Sequence, residues 1–151
     1  MSIVSKICYT KNEGKELLNA ISVEVIKNKG IVNDRYFKDN NDKDKQLTLI
    51  ESENIDYFNK KLNTDIPYID FRRNIISKGI KLNELIDKEI LIGEVRIRGV
   101  RLCDPCKYLQ DKLKKKYKIK NLTNLYNRGG LRCEVLSNGK ISINDKIVAQ
   151  Y

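Results

Sequence analysis

The stretch that decides the fold is Val95-Arg-Ile-Arg-Gly-Val-Arg-Leu-Cys-Asp-Pro-Cys106. Apolar residues alternate at its start and alternate again after Gly99, but one position out of phase. A strand shows this pattern when a β-bulge shifts its register, and glycine is typical at such a shift. The stretch therefore predicts a bulged strand that runs directly into a Cys-Asp-Pro-Cys motif.

The residues after this strand predict the start of a helix. Asp104 is a good N-cap and Pro105 suits the first helical position, which puts Cys106 in the first turn. The free backbone amides of a first turn favour negative charge, so we expect the Cys106 thiol to ionise more readily than a free thiol. The sequence therefore predicts a reactive thiolate directly after the strand.

Length and composition indicate one domain, spanning residues 1–151, of a cytoplasmic protein. A chain of 151 residues and 17.6 kDa can bury a core without disulfides or a structural metal. The first residues lack the apolar core of a signal peptide and no segment is long enough to cross a bilayer, so we expect no membrane partner. The four cysteines are expected to be reduced thiols, with Cys8 and Cys133 as small apolar fillers.

The charge and the absence of histidine restrict the chemistry. The net charge of +10 comes mostly from scattered lysines, so we do not expect nucleic acid as a partner. The densest run, within residues 112–120, indicates a solvated helix face, with an electrostatic landing site for an anionic partner as the alternative. Without histidine the chain has no Ser-His-Asp or Cys-His pair, so its chemistry rests on thiol, carboxylate, arginine, lysine or a bound cofactor.

Short alternating runs dominate the chain and predict strands at residues 21–26, 46–50, 74–77, 89–92, 94–102, 130–136 and 140–148. Helical spacing of apolar residues predicts helices at about 51–62 and 105–117. Asn138-Gly139 predicts a type I′ hairpin, and the polar segment 37–45 predicts a mobile loop. Together these patterns predict a mainly β fold with two or three helices, arranged as a closed or partly open β-barrel.

The Cys103-x-x-Cys106 motif has four interpretations. A dithiol redox site needs the βαβ setting of a thioredoxin fold, which the strand-rich pattern does not supply. A zinc site needs two further ligands, and the isolated Cys8 and Cys133 are poor partners. Two buried structural cysteines are a third interpretation. A single soft ligand or nucleophile at Cys106, with Cys103 as its neighbour, fits the predicted strand and helix best.

Three arginine-bearing segments are candidates for binding an oxyanion. Arg72-Arg73-Asn74 precedes a predicted strand, and strand alternation lets Arg72 and Asn74 face one ligand while Arg73 turns away. A guanidinium offers a planar fork of donors to phosphate or carboxylate, although surface arginines more often bridge to acidic neighbours. The turns Gly30–Arg35 and Arg128–Gly130 also carry arginine, but most such turns only reverse the chain.

Taken in order along the chain, these segments resemble the MOSC domain, named for the C-terminal domain of molybdenum cofactor sulfurase. The matching pieces are Gly30–Arg35, Gln46–Glu51, Phe71–Ile75 with Gly79, Leu91–Val95, Arg101–Cys106 and Gly139–Ile147. Where the family usually has Gly-Asp, this chain has Asn33-Asp34 and Asn144-Asp145, and asparagine tolerates the left-handed conformation. The resemblance implies a strand-rich barrel whose cleft handles the molybdenum cofactor, or sulfur destined for metal-sulfur chemistry.

The resemblance also implies which residues form the site. Cys106 matches the thiolate ligand of molybdenum, and Arg72 and Asn74 match an element that lies along the pterin or its phosphate. Placed near the cleft by analogy are Asp34, Arg35 and Arg128. The implied cofactor is the molybdenum cofactor (molybdopterin). A soft thiolate suits the metal and an arginine fork suits a phosphate, so the resemblance agrees with the chemistry of the residues.

Three functions stay open. In the first, the protein binds the molybdenum cofactor or carries sulfur as a persulfide on Cys106, with proteins of cofactor biosynthesis or sulfur transfer as partners. In the second, it is a molybdenum-dependent reductase of N-hydroxylated substrates, which needs a separate redox partner because the chain has no flavin or iron–sulfur motif. In the third, it binds nucleic acid or an acidic protein through its positive charge.

Overall fold

The computed structural model describes residues 1–103, 107–119 and 123–150, and strands predominate in this part of the chain. The strands are β1 Ile3–Tyr9, β2 Leu18–Ala20, β3 Ser22–Ile26, β4 Gly30–Ile31, β5 Leu47–Glu51, β6 Ile75–Lys78, β7 Glu89–Ile92, β8 Val95–Leu102, β9 Leu131–Val135, β10 Gly139–Ser142 and β11 Ile147–Gln150. The α-helices are α1 Ser52–Leu62 and α2 Lys107–Tyr117. The prediction of a mainly β fold is confirmed.

Most of the strands form one curled sheet, in the order β11-β7-β8-β9-β5-β6-β1-β2. Neighbouring strands are antiparallel except β5 and β6, which run parallel. The start of β1 hydrogen-bonds the turn before β11, since Val4 N donates to Asp145 O (2.9 Å) and Asn144 N donates to Val4 O (2.8 Å). A small sheet with the order β10-β3-β4 packs with it. The result is a partly open barrel, as the sequence predicts.

Alternation along the strands sorts side chains between two apolar clusters. In β5, Leu47 and Leu49 point into the space that the two sheets enclose, whereas Ile50 points to the opposite face. The second cluster lies between that opposite face and the helices, and it contains Phe58 of α1 and Leu113 of α2. Because both clusters are removed from water, they stabilise the fold and fix the helices on the outer face of the curled sheet.

The bulge predicted in β8 is present. The register of β8 with β9 shifts between Gly99 and Arg101. A Cβ built on Gly99 would lie 2.1 Å from the carbonyl oxygen of Leu85, so a side chain is excluded at this position. The glycine therefore lets β8 pass close to the backbone of the preceding segment, and the bulge changes the face on which the following residues lie.

The helices begin and end close to their predicted positions. α1 begins after Glu51 and ends at Leu62, and the left-handed φ of 52° at the next residue, Asn63, caps its last turn. α2 ends at Tyr117 as predicted, but its predicted N-cap Asp104 and first residue Pro105 lie outside the described residues. No helix in the described ranges combines the length and apolar character needed to cross a bilayer.

The prediction of a hairpin at Asn138-Gly139 is wrong. β9 and β10 belong to different sheets, and β10 pairs with β3 instead. Asn138 Oδ1 accepts a hydrogen bond from Lys27 N (2.7 Å), so the asparagine ties the connection to the small sheet rather than forming a turn residue of a hairpin. The predicted strand at 140–148 is also wrong as one unit, since a turn separates β10 from β11.

The structure also tests the predictions for the Asn-Asp turns, the N-terminal strands and segment 37–45. Asn33 and Asn144 take left-handed φ values of 70° and 72°, which confirms that asparagine occupies these positions in that conformation. β1 and β2 have no counterpart among the predicted strands. Segment 37–45, predicted as a mobile loop, is anchored by Asn41, whose Nδ2 donates to Lys29 O (3.0 Å) and Tyr36 O (2.6 Å).

Candidate functional site

A row of polar side chains crosses the outer face of the curled sheet. Thr48 of β5 lies opposite Arg132 of β9, which in turn lies opposite Arg101 of β8. Asn74, just before β6, hydrogen-bonds Thr48 from the other side. The apolar neighbours of these residues in β5 and β9 belong to the inner cluster, so alternation puts this polar row on the face that carries the helices.

Asn74 is completely buried and joins three chain segments. Its Oδ1 accepts hydrogen bonds from Thr48 N (3.2 Å) and Thr48 Oγ1 (3.1 Å), and its Nδ2 donates to Cys8 O (3.1 Å). Asn74 N also donates to Thr48 Oγ1 (3.0 Å). These contacts give Asn74 a structural function in aligning β1, β5 and the start of β6. The contact with a ligand that the resemblance implies stays a prediction.

Arg72 lies in a left-handed conformation, with φ 62° and ψ 28°, at the end of the 3-10 turn Tyr68–Phe71. Because β6 begins only at Ile75, strand alternation does not put Arg72 and Asn74 on one face, and that part of the sequence argument is wrong. The buried Arg72 side chain donates from Nη1 to Lys15 O (2.9 Å). Arg72 also lines a cleft beside α2.

Side chains of α2 close this cleft. Lys116 Nζ donates to Asp70 Oδ2 (3.0 Å), and the Tyr117 hydroxyl donates to the same oxygen. Burial and then the hydrogen bond to Asp70 raise the pKa of Tyr117, so the phenol stays a protonated donor. Lys112 Nζ donates to Gly14 O (3.3 Å). These contacts fix α2 against the two segments that surround Arg72.

Asp34 and Arg35 form a buried ion pair, with 3.3 Å between Asp34 Oδ1 and Arg35 Nη1. Asp34 Oδ1 also accepts a hydrogen bond from Thr10 N (3.2 Å). Arg35 Nη2 donates to Arg72 O (3.1 Å), and its guanidinium stacks 4.4 Å from the ring centre of Tyr36. The opposite charges of Asp34 and Arg35 therefore cancel. The hydrogen bond from Arg35 also holds the backbone of Arg72 in place.

Arg73 is 7% exposed and meets the chain at Gly129, where its Nε donates to the carbonyl oxygen (2.8 Å). In the parts of the chain that the structure describes, no carboxylate lies within ion-pair distance of this guanidinium. A strand at residues 72–74 would turn the Arg73 side chain away from a ligand, and this is what the sequence predicts. The structure instead leaves Arg73 as a buried cation without a charged partner among the described residues.

The turn around Gly129 packs tightly against the end of β8. Cys103, the residue after β8, donates from its N–H to Gly130 O (2.7 Å). A Cβ built on Gly129 would lie 2.4 Å from Cys103 O and 3.7 Å from Arg73 Nη2. The Arg73 guanidinium therefore lies beside the point at which the chain leaves β8.

Arg128 adds a second positive charge to this turn. Its guanidinium stacks 4.0 Å from the ring centre of Tyr57 in α1, which is a favourable cation–π contact. Among the described residues no carboxylate forms an ion pair with Arg128. The region around Gly129 thus carries two guanidinium groups that no described carboxylate neutralises.

Gly129→Ala should destabilise the protein by about 1–3 kcal/mol, because the new methyl group meets the backbone oxygen of Cys103, which cannot move alone. The measurement is urea unfolding followed by circular dichroism. Gly139→Ala is the comparison and should lose less, since its new Cβ meets side-chain atoms of Val95 and Glu94, at 2.8 Å and 3.3 Å, rather than a backbone oxygen. Equal losses in the two variants would contradict the close backbone packing proposed for Gly129.

The sequence analysis does not identify Arg101 and Arg132, which lie at the other end of the polar row. Arg101 Nε donates to Asp44 Oδ2 (2.9 Å), and this hydrogen bond lowers the pKa of the Asp44 carboxyl. Arg132 Nη1 donates to Asp44 O (3.2 Å), while its Nε is buried without an acceptor in the described structure. Alternation offers a clue, since Arg132 stands between the apolar Leu131 and Cys133 and must face away from the barrel core.

The cysteine on which the predicted thiolate depends, Cys106, lies outside the described residues. Cys103 is buried at the end of β8. Cys8 and Cys133 are buried in the apolar clusters, which confirms their prediction as fillers. Burial raises the pKa of the Cys8 thiol to about 11 and that of Cys133 well above its usual value. Within the described ranges no three Cys, Asp or Glu side chains are placed to hold a metal ion.

The candidate residues therefore fall into two groups. The first is linked by hydrogen bonds beside the α2 cleft and comprises Asp34, Arg35 and Arg72. The second gathers around Gly129 and comprises Arg73, Arg128 and Cys103. The first group is partly neutralised by Asp34, whereas the second is cationic.

Solved structures with the same architecture support the assignment of the fold. The YuaD protein from Bacillus subtilis (APC1665) superposes with a TM-score of 0.86 at 14% identity, covering 100% of this chain and 97% of that chain. YiiM from Geobacillus stearothermophilus gives a TM-score of 0.74 at 18% identity, covering 100% of this chain and 76% of that one. YiiM from Escherichia coli gives 0.62 at 16% identity, with coverage of 99% and 71%. At these identities the similarity establishes the fold alone.

Comparison at the level of sequence identifies the family. No curated protein sequence matches the chain. The family model of the MOSC domain matches residues 32–148, which is well over half of the chain and includes both groups of candidate residues. The fold and this match agree, and the chain belongs to the MOSC domain family.

Proposed function

We propose that this MOSC domain binds the molybdenum cofactor, with the Cys106 thiolate as the ligand of molybdenum. The observation that carries the proposal is Arg73, a buried guanidinium at the end of β8 without a carboxylate partner in the described structure. Cys106 is three residues along the chain from Cys103 and directly precedes α2. The proposal thus combines a soft thiolate and an anion-binding cation at the same end of β8.

The residues present suit an anionic cofactor with a soft metal. Arg73 and Arg128 have no described carboxylate partner, and Arg132 has a buried Nε without a described acceptor. Guanidinium groups bind phosphate through charge-assisted, often bidentate hydrogen bonds, and a thiolate is a suitable soft donor to the metal. When bound, the cofactor would supply a metal that exchanges electrons with a substrate.

The remaining candidate residues position this site. The Asp34–Arg35 pair holds the carbonyl oxygen of Arg72, so the segment before β6 is fixed. Arg72 lines the cleft beside α2, where its Nη1 donates to Lys15 O. Asn74 contributes indirectly, since it keeps this segment aligned with β5.

A sulfur carrier is the second candidate, and the size of the Arg72 cleft favours it. The internal volume of the cleft is about 20 Å³, far below the roughly 300–1,000 Å³ typical of cofactor sites. In this function the Cys106 thiolate attacks the outer sulfur of a persulfide on a donor protein. A new S–S bond forms at Cys106, the S–S bond of the donor breaks and the donor thiolate leaves, so no net oxidation occurs.

The proposal predicts that pterin and molybdenum co-purify with the protein from a host that makes the cofactor, but not from a host in which its synthesis is blocked. Fluorescence of the oxidised pterin and elemental analysis measure the two components. Absence of both from protein made in the competent host would overturn the proposal. A persulfide on Cys106 in the same preparation, detected by mass spectrometry, would instead favour the carrier.

A further inference from the structure

Arg73 is a buried cation that lacks a charged partner among the described residues. It is 7% exposed, and of its five guanidinium N–H groups only the one on Nε has a described acceptor, the Gly129 carbonyl oxygen. The Nη groups of Arg73 are not among the described side-chain atoms that are fully buried without a partner, and a mostly buried cation is stabilised when an opposite charge or further hydrogen bonds compensate it. The four remaining N–H groups therefore favour an anion at this position.

The carboxylates on neighbouring segments already have cationic partners. Asp34 pairs with Arg35, whose side chain is also buried. Asp70 accepts hydrogen bonds from Lys116 and Tyr117. Neither carboxylate forms an ion pair with Arg73 in the described structure, so the compensating anion is not supplied by these residues.

The surroundings of Arg73 also hold its guanidinium in one orientation. Gly129 accepts the Nε hydrogen bond, and Gly129 itself is fixed because its Cα lies against Cys103 O. Arg73 Nη2 lies beside Gly129, since a Cβ built on Gly129 would be 3.7 Å from that nitrogen. A fixed guanidinium with its Nη groups unused matches the bidentate geometry by which arginine binds oxyanions.

We propose that Arg73 is an anion receptor of this domain, and that it binds a tetrahedral phosphate-like oxyanion beside the end of β8. The shared chemistry is a dianionic PO₃ or PO₄ group, which comes either from free inorganic phosphate or from a phosphate monoester on a larger molecule. The inference deepens the proposed function, because a phosphate-bearing cofactor would place its anionic end here while Cys106 binds the metal.

The test uses the purified protein without cofactor and titrates it with inorganic phosphate at constant ionic strength, followed by calorimetry. Arg73→Met is expected to weaken phosphate binding at least about tenfold, which corresponds to the loss of one charge-assisted bidentate contact. Arg96→Met is the matched control: it also removes one positive charge, but Arg96 is already paired with Glu89 outside the candidate site and is expected to change the affinity less than about twofold. Equal affinity in wild type and Arg73→Met, or equal losses in the two variants, would overturn the proposal.

A second variant covers the case in which Arg73→Met does not fold. Arg73→Lys keeps the charge but loses the fork of donors, so phosphate binding is expected to fall about threefold to tenfold. Undiminished binding in Arg73→Lys together with no folded Arg73→Met would assign Arg73 a structural role and overturn the proposal.

A parallel titration with glycerol phosphate separates the two sources of the anion. Binding of the monoester as tightly as inorganic phosphate, again lost in Arg73→Met, would identify a site that accepts phosphate on a larger molecule. Binding of inorganic phosphate alone would identify a free-anion site. Because neither titration contains pterin, failure of cofactor binding leaves this result unchanged, and failure of phosphate binding leaves the role of Cys106 to be decided by molybdenum analysis.

Discussion

Cys106→Ser should lower the molybdenum that co-purifies with the protein at least about tenfold, and it should remove any persulfide from this position. Serine carries a hard oxygen in place of sulfur and stays protonated at neutral pH, so it is a poor ligand for the metal and cannot form a persulfide. The measurement is elemental analysis of protein from a host that makes the cofactor, with mass spectrometry of the intact protein for bound sulfur.

The buried cysteines are the controls for this substitution. Cys8→Ala and Cys133→Ala should retain wild-type molybdenum, because burial keeps both thiols protonated, with the pKa of Cys8 raised to about 11 and that of Cys133 raised well above its usual value. Full molybdenum content in Cys106→Ser, or an equal loss in Cys133→Ala, would show that the metal is not held by Cys106.

The course of β8 can be predicted from sequence because its determinants are local. The alternation of apolar residues and the glycine at the phase shift are both contained in eight residues, and the close approach of Leu85 O to Gly99 explains why that glycine is needed. The pairing of β10 cannot be predicted in the same way. Gly139 lies opposite Val25 of β3, so the partner of this strand is distant in sequence and the local Asn-Gly pattern misleads.

Prediction of the candidate site from sequence is limited in the same way, because the charge balance of the site depends on contacts between distant segments. The resemblance identifies Asp34, Arg35 and Arg72, but the sequence does not show that Asp34 already neutralises Arg35. Nor does it show that Arg73 is buried, because its burial depends on a turn at Gly129 that lies far along the chain. The types of residue in a site are readable from sequence, whereas the balance of charge among them depends on the tertiary contacts.

The fold itself depends strongly on Asn74, and Asn74→Ala is expected to lower the free energy of unfolding by about 3–5 kcal/mol. The substitution leaves the N–H of Thr48 without its acceptor and the carbonyl oxygen of Cys8 without its side-chain donor, and it removes the acceptor of the Thr48 hydroxyl proton. A loss of this size is a large fraction of the stability of an ordinary domain. Urea unfolding followed by circular dichroism measures it.

Asn138→Ala is the matched control, since the Oδ1 of Asn138 also accepts a hydrogen bond from a backbone N–H, that of Lys27, but in an exposed position. Water replaces the lost partner there, so the expected loss is at most about 1 kcal/mol. If Asn74→Ala unfolds as late as this control while cofactor or phosphate binding disappears, the amide faces a ligand and its contacts with Thr48 and Cys8 are dispensable. If stability falls steeply with or without ligand, Asn74 is structural: it aligns β1, β5 and β6, so that Arg73 is held beside the end of β8 and Arg72 beside α2.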